Sequence, residues 1–129
     1  MISYGFTKAL DQTFEKAVAA VTHALQTEGF GVLTKIDMQE KLKEKLGVEY
    51  KKYLILGACN PPLAYKALQA EVDIGLLLPC NIIIYEEDSS AVVSIIRPSV
   101  AMSMVNNLGL RTVATEVEAK LKRVFDSLA

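Results

Sequence analysis

Two apolar periodicities alternate along the chain, one of three to four residues and one of two, and together they divide it into helices and strands. Ile2 to Ala9 reads as a first strand, with Tyr4, Phe6 and Thr7 suited to a pleated surface. Asp11 is placed to cap a helix in which Phe14, Val18, Val21 and Leu25 form one stripe, flanked by Ala17 and Ala24. Glu28-Gly29 ends that helix. Phe30 to Asp37 alternates as a strand, and Met38 to Leu46 is a short amphipathic helix closed by Gly47. Lys51 to Cys59 is a strongly apolar strand. Pro61-Pro62 opens a helix, since proline suits a first helical turn, and its buried side is read as Leu63, Ala64, Ala67, Leu68 and Val72. Asn81 to Glu87 and Ala91 to Arg97 form a hairpin around Asp88-Ser89-Ser90. Ser99 to Gly109 has no clear period. The last helix carries Val113, Val117, Leu121, Val124 and Leu128 on one stripe, with Lys120, Lys122 and Arg123 in its second half, where cations favour the helix dipole.

This order predicts an α+β domain spanning residues 1–129, with an antiparallel or mixed sheet of about five strands and its helices gathered on one face. Ile82, Ile83 and Ile84 make both faces of one strand apolar. Helices cover one face only, so a second copy of the chain is expected on the other, as a homodimer.

Composition narrows the class. A chain of 129 residues with 51% hydrophobic and 22% charged residues folds as one domain, with no disulfide or metal needed. Its net charge of −1 provides no basic face for nucleic acid, and Lys41, Lys43, Lys45, Lys51 and Lys52 are interleaved with Glu40, Glu44 and Glu49 as a solvated surface. The sequence starts Met1-Ile2-Ser3-Tyr4 without a basic, then apolar, leader. The apolar run Ile74 to Ile84 is broken by Gly75, Pro79, Cys80 and Asn81 and falls short of the about 20 residues of a membrane span. The expectation is a cytoplasmic protein with two free thiols and neither nucleic-acid nor membrane partners.

Several segments recur in a familiar order: Tyr4-Gly5-Phe6, Gly29-Phe30-Gly31-Val32, Lys35-Ile36-Asp37, Ile55 to Pro61, Gly75 to Asn81 and Tyr85-Glu86. Together they resemble the bacterial and archaeal family called domain of unknown function 302, over nearly the whole chain. The resemblance implies a TATA-binding-protein-like arrangement, a curved antiparallel sheet with helices packed against it, often as a dimer. It implies no activity and no catalytic residues, and a shared fold type does not import DNA binding.

Candidate chemistry is sparse. His23, the single histidine, points nearly opposite the stripe of its helix and reads as a surface residue, which leaves serine or cysteine relays and histidine-bearing zinc sites without a partner. There is no Gly-x-Gly-x-x-Gly and no Walker loop. Two related segments remain, Gly57-Ala58-Cys59-Asn60-Pro61 and Leu78-Pro79-Cys80-Asn81. In one reading Asn60 caps the helix with its side chain, Pro61 starts it, and Cys59 is a small buried residue. In the other, the helix start activates the Cys59 thiol or binds an anion. Cys59 and Cys80 become neighbours if both loops lie at one end of the sheet. Met102 and Met104 would complete a soft sulfur set with them, although methionines more often fill core gaps. Glu86, Glu87 and Asp88 read as a solvated hairpin tip, and Arg97 as an arginine that pairs a carboxylate or binds an anion.

The expected function is a non-enzymatic, dimeric binding module for a small ligand or a protein, with a site near Cys59, Asn60, Pro61, Cys80, Asn81 and Arg97 and no cofactor. The alternative is a thiol redox or Cu(I)-handling protein that uses Cys59 and Cys80.

Overall fold

The computed structural model describes residues 2–129. The chain runs β1 (Gly5–Leu10), α1 (Phe14–Thr27), β2 (Gly31–Asp37), α2 (Met38–Leu46), β3 (Tyr53–Cys59), α3 (Pro61–Ala70), a 3₁₀ segment (Val72–Leu77), β4 (Cys80–Glu87), β5 (Ser90–Ile96), α4 (Pro98–Ala101) and α5 (Leu108–Ser127). The strands form one five-stranded sheet in the order β1-β5-β4-β3-β2, and every neighbouring pair is antiparallel. This is the α+β arrangement expected from the apolar pattern.

The local signals act largely where the sequence places them. Gly29 follows α1 at φ 83 and Gly47 caps α2 at φ 66, left-handed conformations that glycine reaches without a Cβ clash. Two ends differ from expectation. Thr13, not Asp11, caps α1, its side chain accepting a hydrogen bond from the Lys16 amide. α3 stops at Ala70, so Val72 lies outside it and is 77% exposed, and Leu68 is also exposed. The stretch after Pro98 contains the single turn α4 and then the start of α5, where Asn107 accepts from the Leu110 amide.

The period of two assigns the faces of the sheet. On one face Leu54, Leu56, Cys80, Ile82, Ile84, Val93 and Ile95 are buried against Val21 and Leu25 of α1 and Leu121 and Val124 of α5. The register places Ile36, Ile55, Ile83, Ser94 and Thr7 in one row across the other face, with Tyr53, Tyr85, Val92 and Ala9 in the next. Tyr53 and Tyr85 stack there with ring centroids 5.6 Å apart, and Thr7 bonds Ser94 through their hydroxyls at 2.8 Å. A second, smaller core joins α3, the 3₁₀ segment and α5 through Leu63, Ala67, Ile74, Met102, Leu110 and Val113. The candidate site lies between these two cores.

Candidate functional site

β3 ends and β4 begins at the same end of the sheet, because the pair is antiparallel and Ala58 faces Cys80 across it. Both cysteines therefore sit at one end of the sheet, the condition under which the sequence made them neighbours. Both are free thiols, with Cys59 half-buried and Cys80 buried. They line a cavity of about 270 Å³ roofed by Leu63 and Ala67 of α3, walled by Val113 and Ala114 of α5, and closed below by Phe30 and Ala58. Leu33 and Leu68, 67% and 41% exposed, also line it. Leu33 stands at the β-bulge between Val32 and Thr34, the kind of insertion that re-aims a side chain.

The cavity is apolar and uncharged. Asn60 is the only amide side chain on its wall, and no Lys, Arg, His, Asp or Glu lines it. Asn60 occupies the cap position of α3 but makes no side-chain cap hydrogen bond. Its Nδ2 instead donates to the Glu28 carbonyl at 3.2 Å. That carbonyl belongs to the end of α1, where helical acceptors lack partners within the helix. Asn60 thus ties the β3–α3 junction to α1, contrary to the expected capping role. Burial pushes the Cys80 thiol up to about 11, with the neighbouring Cys59 adding to the effect. Cys80 stays protonated at neutral pH and is not an activated nucleophile.

The remaining candidate residues disperse. Pro61 is exposed at the start of α3. Asn81 is exposed, points to the other face of the sheet from Cys80, and lines a separate cleft of about 250 Å³ together with Leu76, Ile96, Pro98 and Ala101. Arg97 lines neither cavity. Its Nε donates to Glu118 at 3.3 Å and its guanidinium to the Ser3 carbonyl at 3.2 Å, so it pairs a carboxylate of this chain. Met102 is buried and lines both cavities, whereas Met104 is 77% exposed and lines neither. His23 is exposed. Among the described residues no group of three or more His, Cys, Asp or Glu is placed to hold a metal ion, and no helix is long and apolar enough to cross a membrane.

Sequence reading located the two cysteine segments but missed most of the cavity wall. Phe30, Leu63, Ala67, Val113 and Ala114 look like ordinary core positions, and only their opposition across space leaves a void. The one signal in the sequence is the run of small residues, Ala58, Ala64, Ala67 and Ala114, on surfaces that face one another.

A family model described as "Domain of unknown function DUF302" matches residues 6–128. The chain belongs to the DUF302 family. No curated protein matches it. The DUF302 fold is also seen in a solved structure described as an uncharacterized conserved DUF302 protein from Bacillus stearothermophilus. That protein is similar to this chain at 27% identity and a TM-score of 0.91, over 99% of this chain and 100% of the other. Membership in DUF302 agrees with the resemblance read from the ordered segments, and the family description itself names no activity.

Proposed function

We propose that this DUF302 chain is a non-enzymatic binding module that holds a small, mainly apolar molecule in the cavity between α3, α5 and the Cys59/Cys80 end of the sheet. The observation that carries this reading is the wall itself, apolar on every side with its one amide already bonded. Such a wall rewards burial of apolar surface at roughly 25 cal/mol per Å² and penalises an unpaired charge, so a neutral ligand fits where an anion does not. A thermal-shift screen with neutral apolar compounds tests it. A ligand at about 100 times its Kd adds about 2.7 kcal/mol, a rise of several degrees in Tm for a domain of this size. Filling the void with Ala67→Leu should abolish the shift. No shift with any compound, or an equal shift in the filled variant, sinks the reading.

A thiol redox or Cu(I)-handling role draws support from the presence of Cys59, Cys80 and Met102 on one cavity. The protonated state of Cys80 weighs against it, since thiolates are the reactive and metal-binding species. Rapid alkylation of Cys59 by iodoacetamide at neutral pH, or stoichiometric Cu(I) uptake lost in Cys80→Ser, would favour this second reading. Two slow thiols and no uptake would end it. The module is further proposed to be a homodimer that pairs through the open face of the sheet, in a reducing compartment such as the cytoplasm, where two free cysteines persist.

A further inference from the structure

The cavity between α3 and α5 and the cleft beside Asn81 share a wall made of Leu78, Pro79, Cys80 and Met102. Leu78 and Pro79 form the short connection between the 3₁₀ segment and β4. Met102 is different. It is buried, it follows the short α4, and its side chain is unbranched, with three rotatable bonds that let it adapt to either space. Neither void alone, at about 270 and 250 Å³, reaches the roughly 300–1,000 Å³ typical of small-molecule sites, but the two together do.

The two voids differ in character. The α3–α5 cavity is apolar apart from the Asn60 amide. The other opens where the exposed Asn81 amide stands beside Ile96 and Pro98. No charged residue lines either part.

We infer that the ligand is an amphiphile with a single unbranched alkyl chain and a neutral polar head, that its chain runs from the α3–α5 cavity past Met102 into the second cleft, and that Met102 sets the chain length accepted. This inference rests on the proposed binding of an apolar molecule and adds its shape, its head group and the residue that selects it. A compact ring fills one void and gains nothing from the other. A flexible chain threads both, and each methylene placed in the second cleft adds burial. The head of a chain long enough to span both voids reaches the Asn81 end, where an amide donates to and accepts from a hydroxyl or an amide, whereas the shorter n-octanol lies in the α3–α5 cavity. A carboxylate or phosphate head would find no cation there.

Displacement of phenylnaphthylamine fluorescence by naphthalene, n-octanol and n-dodecanol tests the inference on the full chain. n-Dodecanol should bind on the order of tenfold or more tighter than n-octanol, the direction set by burial of additional methylenes. Met102→Ile, stiff at χ1 because it is branched at Cβ, should bring the ratio of n-dodecanol to n-octanol affinity down to near one. Met102→Leu should keep part of the gain. Ile96→Phe narrows the second cleft from its far side and should remove the gain without touching the first cavity, so the ratio is still read if one variant does not fold. If naphthalene and n-octanol bind but n-dodecanol gains nothing, or if its gain survives both Met102→Ile and Ile96→Phe, this inference is overturned and the cavity reading stands. If none of the three probes binds, both are overturned.

Discussion

Gly57 occupies a point in β3 with no room for a side chain. A Cβ there would lie 2.2 Å from Thr34 Oγ1 and 2.6 Å from the Pro79 ring. Thr34 is branched at Cβ and Pro79 is a ring, so neither yields easily, and Gly57→Ala should cost about 1–3 kcal/mol through overpacking, measured as a lower urea midpoint at unchanged m-value. The glycine was visible in the sequence, but its reason was not, because Thr34 arrives from β2 and Pro79 from the connection before β4. Asn60 shows the same limit. Its place before Pro61 is legible as a cap position, yet the amide goes to a carbonyl of α1, a partner far away in the chain. Asn60→Ala leaves that interaction unmade and should cost about 1–3 kcal/mol. Glu118 makes a pH prediction. Burial pushes its carboxyl up, but hydrogen bonds from the Ser99 hydroxyl and amide and the charge of Arg97 outweigh that and hold it below its ordinary value of 4.5. A carboxyl lowered in the folded state stabilises fully above its unfolded value and loses that contribution as pH falls through the folded one. Wild-type stability should therefore fall with acidification below about pH 4.5 more steeply than that of Glu118→Gln, as read from urea midpoints across an acid series. Equal slopes would remove Glu118 from the account.

At the scale of elements, amphipathic periodicity and terminal residues recovered most of the chain. α2 spans Met38 to Leu46, as read from its period and from Gly47. The hairpin of β4 and β5 was equally legible from its two apolar runs, but its turn geometry was not. Asp88 and Ser89 have φ values of 50 and 68, the pair of positive angles that a two-residue hairpin of the favoured twist requires. Such angles suit Asn-Gly, and Asp-Ser does not announce them. Replacing Ser89 with glycine relieves the Cβ clash and should stabilise the hairpin by about 0.5–1 kcal/mol net of the added unfolded-state freedom, seen as a higher Tm. An unchanged or lower Tm would mean that the turn is not strained. α3 marks where periodicity misleads. Leu68 and Val72 continue the stripe of Leu63 and Ala67 on paper, but the helix ends at Ala70 and the 3₁₀ segment turns Ile74 inward in place of Val72.

For the whole molecule, the open face of the sheet is the largest consequence of the strand order. Ile36, Ile55 and Ile83 stand in one row across β2, β3 and β4, with no helix of α1 or α5 above them. If a second copy covers this row, sedimentation at micromolar protein should give twice the monomer mass of 14.1 kDa, and Ile83→Glu should give the monomer without loss of helix signal. A wild-type monomer would refute the proposed dimer. The sequence by itself determined the class of the main elements, their order and the family, because periodicity, caps and turn residues act over a few neighbouring positions. It also left any histidine relay to the single ring of His23, which the fold leaves exposed. Tertiary structure alone decided that Cys59 and Cys80 share one end of the sheet, that Asn60, Asn81 and Arg97 part company, and that small residues of α3, α5 and β3 enclose a void. Those outcomes depend on antiparallel register and helix placement, which join residues remote in the chain, and a void is defined by the surfaces around it and by no residue of its own.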